Sequence, residues 1–226
     1  TSLQLELDIY GVGASDELSP LDLSPLAGLT HLTALNLNYN WRISDLSPLT
    51  GLTNLTELGL HSNQVSDLSP LADLTNLADL DLAANQIRDL SPLANLIRLT
   101  NLSLSYNQIS DLSPLAGLTQ LTNLYLNDNS VSDLSPLADL THLSVLYVPG
   151  NSVSDLSPLA DLTNLTVLFL SDNNISDLSA LVGNSGIDSG DSVIVDDNPL
   201  DCDDAATQEE IATLQERGVH LPYDCP

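Results

Sequence analysis

Leucines recur along this chain at two spacings, and the pair of spacings itself repeats. In the stretch from Leu52 to Asp73, Leu55, Leu58 and Leu60 read LxxLxL and the pattern closes at Asn63. The alternation of Leu58 and Leu60 predicts a short strand with one side turned inward. After Asn63 the leucines come every third residue, at Leu68, Leu71, Leu74 and Leu77, which suits tight 3₁₀ turns in which positions i and i+3 eclipse. The same wording returns on both sides. The asparagine that closes each LxLxxN falls at Asn40, Asn63, Asn85, Asn107, Asn129, Asn151 and Asn173, one step of 23 residues followed by steps of 22. A fixed period in this range predicts a solenoid whose rung is a strand, a turn and a 3₁₀-like return. One rung cannot bury its leucines alone, so neighbours must stack, with their strands forming a parallel sheet at about 4.8 Å spacing. The return path is bulkier than the strand, so the sheet is expected on the concave side of a curved stack.

The string LxxLxLxxN followed by I/V-S-D-L-S-P-L-A-x-L-T resembles the leucine-rich repeat family, and within it the 22-residue class of bacterial internalins and similar surface proteins. The resemblance runs from about Leu29 to Leu200. It implies a leucine-rich repeat solenoid with a curved parallel β-sheet on its concave side, 3₁₀ turns on its convex side, and a recognition surface on the concave face. Three parts are expected: a variant N-terminal rung or cap over residues 1–28, the repeat array over 29–200, and a C-terminal cap over 201–226.

Both ends and one internal position depart from the repeat. Leu3, Leu5 and Leu7 alternate as a first strand, ahead of an irregular segment with two glycines and a doubled Leu-Ser-Pro. The rung from Leu29 carries one extra residue, so that the usual Asn-Gln-Val becomes Asn40-Trp41-Arg42-Ile43. The single Trp therefore sits in a bulge. An exposed Trp/Arg pair is a hot-spot composition; the competing reading folds the indole over the first rungs. At the other end, Thr207 and Glu210 read as a helix capping box, Ile211 and Leu214 mark one apolar helical face, and Gly218 ends it. A helix laid on the last rung would shield an otherwise open sheet edge.

The only two cysteines, Cys202 and Cys225, bracket this terminal segment. A disulfide between them would contribute about 3 kcal/mol on the chain-entropy model. They resemble the cysteine-flanked caps of extracellular leucine-rich repeats, although those often carry four. The alternatives, free thiols or a metal site, find no Cys-x-x-Cys and no nearby pair of histidines.

Charge narrows the list of partners. The chain has 31 acidic residues against 4 basic ones, for a formal net charge of −27. Nucleic acid, whose binding depends on Lys and Arg neutralising phosphates, and anionic lipid headgroups are both disfavoured. An acidic surface of this kind is expected of a saline or halophilic source, where salt screens the self-repulsion. No apolar run approaches the roughly 18–20 residues of a membrane span, so no direct membrane insertion is expected. The chain opens at Thr1 without a signal-like stretch, which fits a mature or excised piece of an exported protein.

Several repeated polar positions look chemical but have structural uses. A buried asparagine amide can satisfy turn N–H and C=O groups, each of which costs roughly 1–3 kcal/mol if orphaned. Asp45, Asp67, Asp89, Asp111, Asp133, Asp155 and Asp177 stand in S-D-L-S-P-L and suit turn capping. A calcium ladder is the weaker alternative, because calcium wants six to eight oxygens in one cluster. No metal site and no cofactor is expected. The histidines His31, His61, His142 and His220 fall in different rungs, so no nucleophile meets a base and the chain does not read as an enzyme.

Binding then belongs to positions that the repeat leaves free. The fifth position of LxxLxLxxN reads Asn36, Gly59, Asp81, Ser103, Tyr125, Tyr147, Phe169 and Ile194, and the third reads Ala34, Glu57, Asp79, Asn101, Asn123, Val145 and Val167. The face is acidic and small early, aromatic and apolar late. Tyr125, Tyr147 and Phe169 should stand side by side, flanked by Val145 and Val167, with Asn127, Asp128 and Asp172 as polar neighbours. Such a strip is what protein-binding surfaces use; the competing use is ring stacking that aids sheet pairing. Tyr39 and Tyr106 are weaker candidates on the rim. The leading expectation is a secreted or cell-surface module that binds a protein, with a glycan as second choice. A structural spacer or self-associating element of an extracellular assembly is the alternative, and cation binding by the acidic early rungs a third.

Overall fold

Three-residue strands, one per repeat, line up in chain order and make a single parallel sheet. The computed structural model describes residues 2–4 and 21–223; the segment 5–20, which holds most of the expected N-terminal rung, lies outside the described residues, as does Cys225. The strands are β1 (Ser2–Gln4), β2 (Ala34–Asn36), β3 (Glu57–Gly59), β4 (Asp79–Asp81), β5 (Asn101–Ser103), β6 (Asn123–Tyr125), β7 (Val145–Tyr147), β8 (Val167–Phe169) and β9 (Ser192–Ile194). Each pairs only with its chain neighbours, from β1 at one edge to β9 at the other. The register never slips: Leu58 faces Leu80, Leu80 faces Leu102, and Leu102 faces Leu124.

The three-residue leucine spacing does form the expected 3₁₀ path. In the rung after Asn63, Leu71 N–H donates to the Leu68 carbonyl, Leu74 to Leu71 and Leu77 to Leu74, at 2.9–3.0 Å. Every leucine in that series is buried. Each contributes about 1.5–3 kcal/mol by leaving water, and the core runs unbroken from Leu23 to Leu221.

The Ser-Pro-Leu turns start in a way that sequence spacing only half anticipates. The residue at each N-cap is a leucine with no side-chain bond of its own, for example Leu68 before Ser69–Leu71. The aspartate one residue earlier does the capping. Asp67 Oδ1 accepts the Ser69 N–H at 2.8 Å and Oδ2 the Ser69 hydroxyl at 2.9 Å. The N–H bond recurs at Asp22, Asp45, Asp89, Asp111, Asp133, Asp155 and Asp177. Where Ala180 replaces the proline, the turn is instead a short α-helix, α1 (Ser179–Gly183).

Asparagine amides bolt each rung to the one before it. Asn85 Nδ2 donates to the carbonyls of Leu60 in the previous rung and of Leu82 and Ala83 in its own, at 2.9–3.1 Å. Its Oδ1 accepts the Val65 N–H at 2.9 Å. Asn107, Asn129, Asn151, Asn173 and Asn198 accept in the same way from Ile87, Ile109, Val131, Val153 and Ile175.

The C-terminal helix α2 spans Ala205–Glu216 and starts earlier than a capping box at Thr207 requires. Asp204 is its N-cap, accepting the Thr207 N–H at 3.1 Å. Glu210, freed from any capping role, accepts the Leu178 N–H at 2.9 Å and so ties the helix to the array. Ile211 and Leu214 are buried as expected, and Gly218 takes φ +86° just past the helix, where other residues would be strained. The free edge of β9 is met by the chain after the helix as well: His220 bridges Ser192 in parallel, with its N–H on the Asp191 carbonyl at 2.7 Å. Cys202 Sγ lies 3.9 Å from Tyr223 Oη, while its expected partner Cys225 is outside the described residues.

Two outcomes test this frame. Asn85→Ala removes the acceptor for Val65 and the donor to three carbonyls, and should destabilise the protein by about 1–3 kcal/mol in urea unfolding; a loss near zero would contradict the bolting role. Asp155 is held below its usual pKa of 3.8 by bonds from the Ser157 backbone N–H and hydroxyl. A depressed folded pKa means stability that is present above 3.8 and lost as pH falls through the folded value. Asp155→Ala should therefore lower the melting temperature at pH 7, with the gap to the parent closing below about pH 3.8; a gap that does not vary with pH would contradict it.

Candidate functional site

The fixed register places the free positions in two parallel rows on the outer face of the sheet. One row runs Asn36, Gly59, Asp81, Ser103, Tyr125, Tyr147, Phe169, Ile194, each directly opposite the next. The other runs Ala34, Glu57, Asp79, Asn101, Asn123, Val145, Val167, Ser192. Between them the leucines point inward, so these rows are what the strand face offers.

At the late end the three aromatic rings form one ladder. The Tyr125 and Tyr147 centroids are 5.1 Å apart with the rings tilted by 39°, and Tyr147 and Phe169 stack at 4.4 Å and 7°. Val145 and Val167 pair beside them. All five residues are half-buried, so the rings cover one another in part and still present a continuous apolar strip. Asn127 sits half-buried at the end of β6, its Oδ1 accepting the Ser105 hydroxyl at 3.2 Å.

Asp128 and Asp172 occupy a different kind of position. Their backbones are left-handed, with φ +52° and +53°, and so are those of Tyr39, Ser62, Ala84, Tyr106, Gly150 and Asp197 at the equivalent place in other rungs. The eighth position of each repeat is thus a turn residue at the rim of the sheet. Aspartate and glycine suit such a conformation, so Asp128 and Asp172 are explained by the turn and stand beside the aromatic strip rather than within it. Tyr39 and Tyr106 have no such excuse, and they are 56% and 57% exposed.

The early end of the face is acidic. Glu57 stands opposite Asp79, and Asp81 follows on the same strand. Burial, the Glu57 charge and Asp81 push the Asp79 carboxyl above its usual pKa, against a hydrogen bond from Asn101. His61 Nδ1 lies 3.7 Å from Asp81 Oδ1.

Trp41 does not fold over the first rungs. It is 58% exposed, left-handed at φ +57°, and 6.4 Å from Tyr39 between ring centroids. Its insertion also disturbs the amide ladder. Ile43 keeps its place in the core, but the Asn63 Oδ1 that should accept its N–H is buried without a partner.

The family model for leucine-rich repeats in two copies matches residues 53–95, 97–139 and 141–183. The chain belongs to the leucine-rich repeat family. Among solved structures, this leucine-rich repeat protein is similar to an internalin, InlF, of Listeria monocytogenes, at TM-score 0.81 and 39% identity over 89% of this chain and 59% of that one. Internalin C2 of the same organism gives TM-score 0.75 and 36% identity over 85% of this chain and 82% of that one. A leucine-rich repeat protein of Leptospira interrogans gives TM-score 0.71 at 23% identity, over 87% of this chain and 55% of that one, a likeness of fold alone. The chain thus spans little more than half the length of two of these three structures. No protein of curated function matches it in sequence. Among the described residues no helix is long and apolar enough to cross a membrane, and no three His, Cys, Asp or Glu side chains are grouped so as to hold a metal ion.

Sequence spacing placed Tyr125, Tyr147 and Phe169 in one strip and Tyr39 and Tyr106 on the rim, but missed the rim's left-handed backbone. The left-handed column could have been suspected from Gly150 and the aspartates that share it. That Tyr39, Trp41 and His61 would come together could not, because the inserted residue has no counterpart in any other rung.

Proposed function

We propose that this chain is a secreted or cell-surface recognition module, non-enzymatic, that binds a protein ligand on its strand face. The observation that carries this reading is the unbroken, half-buried stack of Tyr125, Tyr147 and Phe169, flanked by Val145 and Val167. Outward strand positions need no aromatics to hold the solenoid, since Asn36, Gly59, Asp81 and Ser103 serve in the same row. Large, rigid rings with a polar surround make hot spots at modest entropic cost. Asn127 supplies the polar neighbour on the face, and Asp128 and Asp172 form the rim. A glycan is the second choice of ligand, since stacked rings also suit sugar faces. Self-association is opposed by the formal charge of −27 carried by every copy.

The test is capture from cell-surface extracts by the parent chain and by the Tyr125→Ala/Tyr147→Ala/Phe169→Ala variant, with the variant's fold confirmed by circular dichroism. A protein retained by the parent and lost from the variant is expected, with affinity falling at least about 30-fold for the loss of two or more hot-spot rings. Identical retention by both would remove the strip from the binding surface. Concentration-dependent oligomers in light scattering would favour the structural-spacer reading instead.

A further inference from the structure

The repeat departs from its own backbone at the Trp41 bulge, and the departure is unfavourable locally. Tyr39 shares the left-handed φ of the eighth position in every rung, but Trp41 adds a second left-handed residue that no other rung has, and the inserted residue leaves the buried Asn63 Oδ1 unpaired where every later asparagine of the ladder is satisfied. The bulge is nonetheless firmly anchored: Trp41 N–H donates to the Ser62 carbonyl at 3.1 Å, and the Trp41 carbonyl accepts from Gln64 Nε2 at 2.7 Å. What it displays is an indole 58% exposed beside a tyrosine 56% exposed. Stability gains nothing from holding either ring in water. Strain and exposed aromatics retained together point to use.

The surroundings specify the kind of partner. The rings run in a line onto carboxylates: Trp41 to Tyr39 at 6.4 Å, Tyr39 to the His61 ring at 4.8 Å, and His61 to Asp81 at 3.7 Å. Asp79 and Glu57 adjoin Asp81 on β4 and β3. Gly59, opposite both Asn36 and Asp81, adds no side chain, and the Asn38 amide lies over it, its Oδ1 accepting the His61 N–H at 2.8 Å. Tyrosine and tryptophan faces attract a cation within about 6 Å, best when it is partly desolvated, and three crowded carboxylates favour the same charge. An anion, or a second copy of this chain, is repelled.

We propose that the strip Trp41–Tyr39–His61–Asp81 is a second docking point, which takes a lysine- or arginine-bearing segment of a protein partner, its cation held between the aromatic faces and the Asp81 carboxylate. It lies in the rungs of β2 to β4, partly on the rim beyond the strands, with the rung of β5 between it and the ring ladder on β6 to β8, and stands independently of what that ladder binds.

Trp41 is the chain's single tryptophan, so its fluorescence reports the site directly. The probe is a capped tetralysine peptide, titrated at low and physiological salt against the parent chain and four variants. Asp81→Asn and Tyr39→Ala probe the site. Both have precedents within the chain: Asn36 Oδ1 takes the Asn38 N–H just as Asp81 Oδ1 takes that of Ala83, and Ala84 occupies the left-handed position equivalent to Tyr39. Asp203→Asn, exposed at the far end, controls for net charge, and the Tyr125/Tyr147/Phe169 triple alanine controls for the other surface. Circular dichroism melting confirms that each variant folds. The expected result is a saturable change in Trp41 emission that weakens about threefold or more in Asp81→Asn and Tyr39→Ala, the scale of one cation–π or ion-pair contact, and is unchanged in the two controls. Absence of a saturable change overturns the proposal. So does equal weakening by Asp81→Asn and Asp203→Asn, which would mean diffuse attraction to a polyanion. Calcium chloride at matched ionic strength, or maltotetraose, reproducing the change would equally overturn it, in favour of a simple cation or a glycan.

Discussion

A rung of this protein cannot exist alone, and the asparagine side chain is what joins it to the next. The leucines supply the drive to stack, because burying them needs neighbours on both sides. Leucine burial is indifferent to small rotations and slips, however. The amide is not: Asn85, with three carbonyls and one N–H in reach across two rungs, fits only when the strands stand in one register. From that fixed register follow the straight rows of outward side chains. A row of rings such as Tyr125, Tyr147 and Phe169 is a ladder only because each rung repeats the last at the same height.

Function and structure are therefore separated along the repeat. Leucine, asparagine and the aspartate that caps each 3₁₀ turn are occupied by the solenoid, and their repetition carries no information about a ligand. The outward positions are free to differ, and they differ in an organised way. Carboxylates gather on β3 and β4 and aromatic rings on β6 to β8, so that a partner lying across the sheet would meet charge at one end and apolar surface at the other. With few basic groups to offset 31 acidic ones, the net charge attracts groups of opposite sign and repels like charge.

Most of the fold was legible in the sequence because the repeat is written so many times. Period-two leucines at Leu58 and Leu60 and period-three leucines from Leu68 to Leu77 predict the strand and the 3₁₀ path, and both are present. Details that depend on competition between neighbours were harder to read. Asp204 and Thr207 are both good helix starters, and only the packed chain shows that Asp204 wins and Glu210 turns to Leu178. The aspartate of each S-D-L-S-P-L was recognisable as a cap, whereas its place one residue ahead of the helical cap follows from the turn geometry. The aromatic strip was visible because its residues share one repeat position. The left-handed rim was not, since a free-looking position in a pattern says nothing about φ, and the Trp41 cluster arises from an insertion that no periodicity describes.

The interruption of the amide ladder at the Trp41 bulge allows the most direct test of what holds the rungs in register. In native-state hydrogen exchange, the backbone amides of Val65, Ile87, Ile109, Val131 and Val153 should exchange slowly, because each is held in a buried or partly buried bond to the asparagine of the next rung. Ile43, whose acceptor Asn63 Oδ1 stands unpaired, should exchange markedly faster despite a side chain buried just as deeply. Equal protection at Ile43 and its five counterparts would show that leucine packing alone fixes the rungs, and would contradict a register set by the asparagine amides.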